Sequence, residues 1–376
     1  MKVLNVVGAR PNFMKIAPLI REMRKHPGIT PLLVHTGQHY DVKMAGQFFE
    51  DLQIPLPDVS LDVGSGTHAV QTAEVMKRME PILERERPDL VLVVGDVNST
   101  MAAALTAVKL HIPVAHVEAG LRSGDRSMPE EINRIVTDAV SDYLFVTEES
   151  GTRNLMAEGV PKSKVFEVGN VMIDSLEASR RLWGQSTILT RLGLQRSQYA
   201  VTTLHRPSNV DNMTILRGLV ESLLEVGRRL PVIFPIHPRT KKALEAMGEL
   251  GPGLYFGPPP TPVKGVHCMD PIGYLDFMSL VANARLVLTD SGGIQEETTV
   301  LGVPCLTLRE NTERPVTVTH GTNRVIGSSP KRILEETGNA LDLPVRSLPP
   351  PPLWDGHASE RIVRVLQEQI KLRQVA

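Results

Sequence analysis

Cysteine is nearly absent from this 376-residue chain, which has only Cys268 and Cys305. Two cysteines without metal-ligand spacing exclude both a disulfide scaffold and a zinc knuckle. They fit a reduced compartment, where a free thiol serves as a small buried hydrophobe. An excess of one charge is also missing. Forty-one Lys and Arg stand against 42 Asp and Glu, for a formal net charge of -1. No global field draws this protein to nucleic acid or to an anionic membrane. Long apolar runs are missing too: none approaches the roughly 20 residues that span a bilayer. The run from Val3 to Val7 is too short for a signal peptide and leads to no cleavage-like site. A cytoplasmic protein is expected. No H-E-x-x-H or similar spacing is present, so neither a metal nor a bound cofactor is expected.

What the chain has is alternation. Its length suits two domains. Val3 to Val7, Pro31 to Val34, Leu90 to Val94, Val114 to Val117 and Tyr143 to Val146 read as strands. Most lack polar alternation, as parallel strands covered on both faces do. Ile16, Leu19, Ile20 and Met23 mark one apolar helix stripe between them. The pattern restarts with strands at Ala200 to Leu204, Val232 to Ile236, Leu286 to Leu288 and Cys305 to Leu308. A strong amphipathic helix through Ile215, Leu219 and Leu223 lies between the first two. The expected fold is α/β: two Rossmann-like, doubly wound domains facing across a cleft. The first spans residues 1–170 and the second 171–356. Pro258 to Pro262 and Pro349 to Pro352 act as rigid connectors. A terminal helix over about 357–376 closes the second domain or crosses back onto the first.

Thr289-Asp290-Ser291-Gly292-Gly293-Ile294-Gln295-Glu296-Glu297 carries the most chemistry. A strand, a glycine turn and a helix start make a phosphate seat, because unsatisfied amides and the helix dipole face outward. Ser291, Gly292 and Gly293 form that seat. Glu297, about one helical turn on, suits a ribose diol. The competing reading is a glycine-punctuated turn before a solvated acidic helix. Gly64-Ser65-Gly66-Thr67-His68-Ala69 matches the dinucleotide fingerprint. It does not follow the first strand of its unit, so it reads as a loop leading into a helix.

Ligands of parallel α/β sheets sit beyond the strands' carboxyl ends, which selects a small further set. Arg10 and Lys15 follow the first strand as cations suited to a diphosphate. Asp96 ends the Leu90 strand and Glu118 the Val114 strand. Glu131 and Arg134 follow in Pro129-Glu130-Glu131-Ile132-Asn133-Arg134. Clustered carboxylates take different pKa values and divide acid and base roles between them. His205 and His237 end strands of the second half, where histidine donates to phosphate or relays a proton.

Together these motifs closely resemble the non-hydrolysing UDP-N-acetylglucosamine 2-epimerases. The matching pieces are Gly8-Ala9-Arg10-Pro11 with Lys15, Thr36-Gly37-Gln38-His39, Gly95-Asp96, and His116 through Asp125. They continue with Pro129 through Arg134, His205-Arg206, Thr289 through Glu297, and Thr312-Glu313-Arg314-Pro315. The likeness runs in order over nearly the whole chain. It implies a glycosyltransferase B-type architecture and reversible interconversion of UDP-GlcNAc and UDP-ManNAc. The implied route eliminates UDP to a 2-acetamidoglucal and adds it back, without metal or nicotinamide. It makes Asp96, Glu118 and Glu131 the acid–base candidates, with His205 beside the diphosphate. Ser291, Gly292 and Gly293 hold phosphate, and Glu297 holds ribose. Arg10, Lys15, His237 and Arg314 complete the UDP side, while Arg134 sits near the acids. A homodimer is the family expectation, with a UDP-sugar as the only other partner.

One position departs from the pattern. Members activated by a second UDP-GlcNAc carry a glutamine shortly after the Gln-His pair and an arginine further on. Here Asp41 takes the first place, and no clear arginine lies around His68. Activation by substrate is therefore expected to be weak or absent. Three other readings compete: a retaining sugar-nucleotide glycosyltransferase, a hydrolysing 2-epimerase, and a non-catalytic sugar-nucleotide sensor. The first shares the Ser291 seat but has no need of the three acids.

Overall fold

Short β-branched runs buried on both faces are stable as parallel sheets covered by helices, and the chain builds two of them. The computed structural model describes residues 1–37, 56–248, 251–257, 263–342 and 349–375. Gln38, His39, Asp41 and Pro258 to Pro262 lie outside the described residues, and of Arg10 only the backbone is described.

The first sheet holds β1 (Lys2–Val7), β2 (Thr30–His35), β3 (Val59–Ser60), β4 (Leu90–Val94), β5 (Val114–Ala119), β6 (Tyr143–Val146) and β7 (Val165–Glu167). Their order is β3-β2-β1-β4-β5-β6-β7, with every neighbour parallel. The second holds β8 (Ala200–Thr203), β9 (Val232–Pro235), β10 (Leu254–Phe256), β11 (Val266–Met269), β12 (Leu286–Thr289), β13 (Cys305–Thr307) and β14 (Asn323–Val325). Their order is β10-β11-β9-β8-β12-β13-β14, again parallel. Chain direction across each sheet reverses once, between β1 and β4 and between β8 and β12. Those two switch points are where an open α/β sheet offers a crevice to a ligand.

Among the described residues, helices of eight residues or more are numbered in chain order. In the first half they are α1 (Arg10–Met23), α2 (His68–Glu86), α3 (Asn98–Lys109), α4 (Pro129–Val140), α5 (Glu149–Ala157) and α6 (Val171–Ala178). Then come α7 (Met213–Arg229), α8 (Pro238–Met247), α9 (Tyr274–Ala282), α10 (Gly292–Leu301), α11 (Pro330–Asp342) and α12 (Ala358–Val375). The stripe Ile16, Leu19, Ile20 and Met23 of α1 is buried. So are Leu216, Leu219, Val220 and Leu223 of α7, which pack on Val232, Phe234, Leu286 and Leu288 of the second sheet. The Gly64 loop follows the edge strand β3, and α2 starts after it with Thr67 accepting from the Val70 amide at 3.3 Å.

Contacts divide the chain into two compact units: Met1–Ala178 with Pro352–Ala376, and Ser179–Pro351. The terminal helix α12 therefore belongs with the N-terminal half, where it packs on α1 and α6. Asp174 of α6 caps it, accepting from the amides of Ala358 (3.0 Å) and Ser359 (2.7 Å). Trp354 fixes the approach by donating Nε1–H to the Thr147 carbonyl at 2.9 Å. Both cysteines are buried and reduced, and burial pushes each thiol up to about 12. Among the described residues, no helix is long and apolar enough to cross a membrane.

Candidate active site

In the first unit the candidate groups gather beyond the ends of β1, β4 and β5. The β5 strand runs two residues past the Val114 to Val117 expected from sequence. Its pairing with β6 skips a residue between Val117 and Ala119, so Glu118 forms a bulge. Glu118 sits at φ 76°, a left-handed conformation that a non-glycine residue adopts only when its surroundings enforce it. Bulges re-aim side chains, and this one puts the Glu118 carboxylate on Lys15 of α1. The two make a buried ion pair through Nζ and Oε2. Lys15, expected as a cation for the diphosphate, thus pairs with a carboxylate in this structure.

Gly95 makes this approach possible. At φ 69° it turns the chain after β4, and a Cβ there would lie 3.0 Å from Lys15 Nζ and 3.1 Å from Asn12 Nδ2. Asn12 ties the two strand ends together: its Oδ1 accepts from the Ala9 amide at 2.9 Å and its Nδ2 donates to the Val94 carbonyl at 3.0 Å. The next residue, Asp96, keeps 27% of its side chain exposed and receives Arg134 Nη1 at 2.5 Å. The same guanidinium donates Nη2 to Glu131 at 2.7 Å. Glu131 also accepts from the Ser123 amide (2.9 Å), the Ser123 hydroxyl (3.0 Å) and the Gly124 amide (2.9 Å). Burial works against its charge, but those donors and Arg134 outweigh it and hold the carboxyl below its usual range. These contacts fasten Glu131 to Arg134 and to the Ser123 turn.

In the second unit the residues of the expected seat lie at the other switch point. Ser291 is the N-cap of α10, in extended backbone, and its hydroxyl makes no cap bond. The helix start therefore presents amides and a hydroxyl together, as anion sites do. Gly292 is required by sterics, since a Cβ would lie 2.5 Å from Arg314 Nη1 and 3.0 Å from Glu313 Oε1. Arg314 is buried directly against the seat. Its Nε donates to Glu296 and its Nη1 to Glu313, both at 2.6 Å. Arg309 meets Glu313 at 2.9 Å as well.

His205 ends β8 and faces β12. Its Nδ1 lies 2.9 Å from Asp290. The same carboxylate accepts the backbone amides of His205 and Arg206 at 3.0 and 2.9 Å. Burial opposes charge on Asp290, yet His205 and the two amides hold its pKa down. With Nδ1 taken by Asp290, the other ring nitrogen is the one offered to a ligand. His237, the exposed N-cap of α8, lies 6.1 Å from His205 between ring centroids. Its Nδ1 accepts from the Arg239 amide at 3.2 Å, which makes Nε2–H a donor.

Glu297 is turned inward. Burial, and then the neighbouring charge of Glu296, push its carboxyl up to about 8, against the lowering hydrogen bond of the Tyr274 hydroxyl. This predicts a pH effect. A carboxyl raised above its unfolded value stabilises the fold below about pH 4.5, and that contribution is lost as pH rises through about 8. Glu297→Gln should flatten the decline in stability between pH 5 and pH 9 by about 1–4 kcal/mol. Urea unfolding across that range measures it, and parallel curves for the two proteins would contradict it.

Asp290, Asn12, Asp138 of α4, Glu296 and Glu313, the last two being the partners of Arg314, were missed as site residues in the sequence. Asp290 had a signal, a carboxylate directly after a parallel strand. Asp138 had another, lying seven residues after Glu131 on the same helix face. Among the described residues no group of His, Cys, Asp and Glu is arranged to hold a metal ion.

The chain matches the family model described as UDP-N-acetylglucosamine 2-epimerase over residues 21–367. It is 42% identical to the UDP-N-acetylglucosamine 2-epimerase of Methanocaldococcus jannaschii, covering 97% of this chain and 99% of that one. It is 40% identical to the UDP-2,3-diacetamido-2,3-dideoxy-D-glucuronate 2-epimerase of Pseudomonas aeruginosa, covering 91% and 92%. A crystal structure of the M. jannaschii UDP-GlcNAc 2-epimerase, in complex with UDP-GlcNAc and UDP, superposes with a TM-score of 0.88 over 98% of this chain and all of that one, at 40% identity. Two doubly wound parallel sheets, an acid cluster on one and a candidate anion seat on the other thus accompany similarity along nearly the whole length: the chain belongs to the UDP-N-acetylglucosamine 2-epimerase family.

Proposed function

We propose that this enzyme interconverts UDP-N-acetylglucosamine and UDP-N-acetylmannosamine by eliminating UDP and adding it back. The observation that carries the reading is Glu118, held in a strained bulge against Lys15 with Asp96 one residue beyond Gly95. Proton transfer at a sugar carbon needs such positioned carboxylates.

In the forward direction a base takes the C2 proton. Its electron pair forms the C1–C2 double bond as the C1–O bond breaks and its pair leaves with UDP. The resulting 2-acetamidoglucal then receives a proton on the other face of C2 while a UDP oxygen attacks C1. Glu118 and Asp96 serve the two proton transfers, and Lys15 and Arg134 hold their charges. Glu131 keeps Arg134 in place. In the second unit the α10 amides with Ser291, Gly292 and Gly293 take the diphosphate, supported by Arg314 and His237. His205, oriented by Asp290, donates toward the departing UDP. Glu297 meets the ribose. A cytoplasmic homodimer goes with this reading.

The P. aeruginosa relative supports a second substrate, a UDP-2,3-diacetamido uronate, for the same reaction. Offering each UDP-sugar separately and resolving products by ion-exchange chromatography tests both. UDP-N-acetylmannosamine from UDP-N-acetylglucosamine, and the reverse, is expected. Turnover of the uronate alone would reassign the substrate. Release of UDP with free N-acetylmannosamine would favour a hydrolysing enzyme, and no product in protein that binds UDP would favour a glycosyltransferase or a sensor.

A further inference from the structure

Behind the acid cluster lies a buried set of charges with no direct access to a substrate. His116 of β5 is fully buried, two residues before Glu118. Its Nε2 is 2.8 Å from the Gly95 carbonyl and its Nδ1 is 2.6 Å from Asp138 Oδ1. A carbonyl only accepts, so Nε2 carries a hydrogen. The second Asp138 oxygen accepts the Gly120 amide at 3.0 Å and meets Arg122 Nη1 at 2.8 Å. Arg122 is itself clamped by Glu158, at 2.8 Å and 2.7 Å. Burial raises the Asp138 pKa, but His116 and Arg122 more than offset it and hold the carboxyl in its ionised form.

The connectivity matters more than the charge. One ring reaches the residue before Asp96. Its partner carboxylate grips the amide two residues after Glu118. Gly120 is confined from the other side too, since a Cβ there would lie 2.5 Å from the Gly151 carbonyl oxygen. The strained backbone at Glu118 needs such a restraint at both ends.

We propose that His116 and Asp138 are positioning residues for the epimerase reaction, locking the Gly95–Asp96 turn to the Glu118–Gly120 bulge so that the two carboxylates keep a fixed separation. This rests on Glu118 and Asp96 being the acid–base groups. Neither His116 nor Asp138 touches the sugar. Loss of the lock lets the acids drift by fractions of an ångström, which lowers the chemical step and leaves UDP affinity unchanged.

Three variants test it in the full-length enzyme. Asp138→Asn removes the charge that binds both sides. His116→Gln keeps a donor near the Nε2 position, toward Gly95, and gives up the Asp138 bond. His116→Asn does the reverse. Each should lower kcat by about 10–100-fold, with KM and the UDP dissociation constant within about twofold of wild type. Leu83→Ala, a buried truncation in α2 remote from these groups, controls for lost stability and should lower Tm without that fall in kcat. If Asp138→Asn folds poorly, the two His116 variants decide. Unchanged kcat in the folded variants, beside an active wild type, overturns the inference alone. So does a loss of kcat in Leu83→Ala equal to theirs, because destabilisation then explains it. A wild type inactive on every UDP-sugar offered overturns the proposed function, and this inference with it.

Discussion

Glu118→Gln is expected to lower kcat by about 10²–10⁴-fold while the UDP dissociation constant stays within about twofold of wild type. Glutamine has the shape of glutamate, so it tolerates the same bulge and keeps a carbonyl near Lys15. It cannot take up or return a proton. Lys15 loses its counter-charge in a buried place, and that costs stability as well. A thermal melt of the UDP-bound protein separates the two effects. Single-turnover kinetics with isothermal titration of UDP make the test. Loss of UDP affinity matching the loss of rate would move Glu118 from proton transfer into binding.

Gly292→Ala is expected to be as severe for the other half of the chemistry. Its new methyl group meets the Arg314 guanidinium at 2.5 Å. A flexible side chain would move aside, but this one is buried and fixed by Glu296 and Glu313. Either Arg314 breaks two charge-assisted bonds or α10 shifts away from its own N-terminus. Both outcomes deform the phosphate seat. UDP affinity should fall by at least about tenfold, the scale of 1.4 kcal/mol, with a clear loss of thermal stability. Titration of UDP into the folded variant reads it directly. Wild-type affinity would show that the seat lies elsewhere.

These two sites were legible in the sequence to different depths. Alternation of buried runs and helix stripes gave the two parallel sheets, because burial on both faces leaves no other periodicity. Asp96, Glu118, His205 and Ser291 stood out as candidates because each lies at or within two residues of a strand end, where parallel sheets present side chains to ligands. What sequence could not reveal was pairing across the fold. Lys15 reads as a cation for a diphosphate, and its pairing with Glu118 emerges only once β1 and β5 flank β4. Asp290 and His205 are 85 residues apart and meet because β8 and β12 are neighbours. The left-handed backbone of Glu118 was invisible as well: residue type argues against it, and only tertiary restraint enforces it. Glu131 read as one more acid, and its five donor contacts were not legible before the fold brought the Ser123 turn and Arg134 onto it.

The most direct test of the account is proton NMR of the purified enzyme with UDP-N-acetylglucosamine in D2O, with no added metal or nicotinamide. UDP-N-acetylmannosamine carrying deuterium at C2, with deuterium also entering the remaining substrate, is the predicted result. Epimer formed with the C2 proton fully retained, or no exchange in protein that binds UDP, would contradict proton transfer by Glu118 and Asp96.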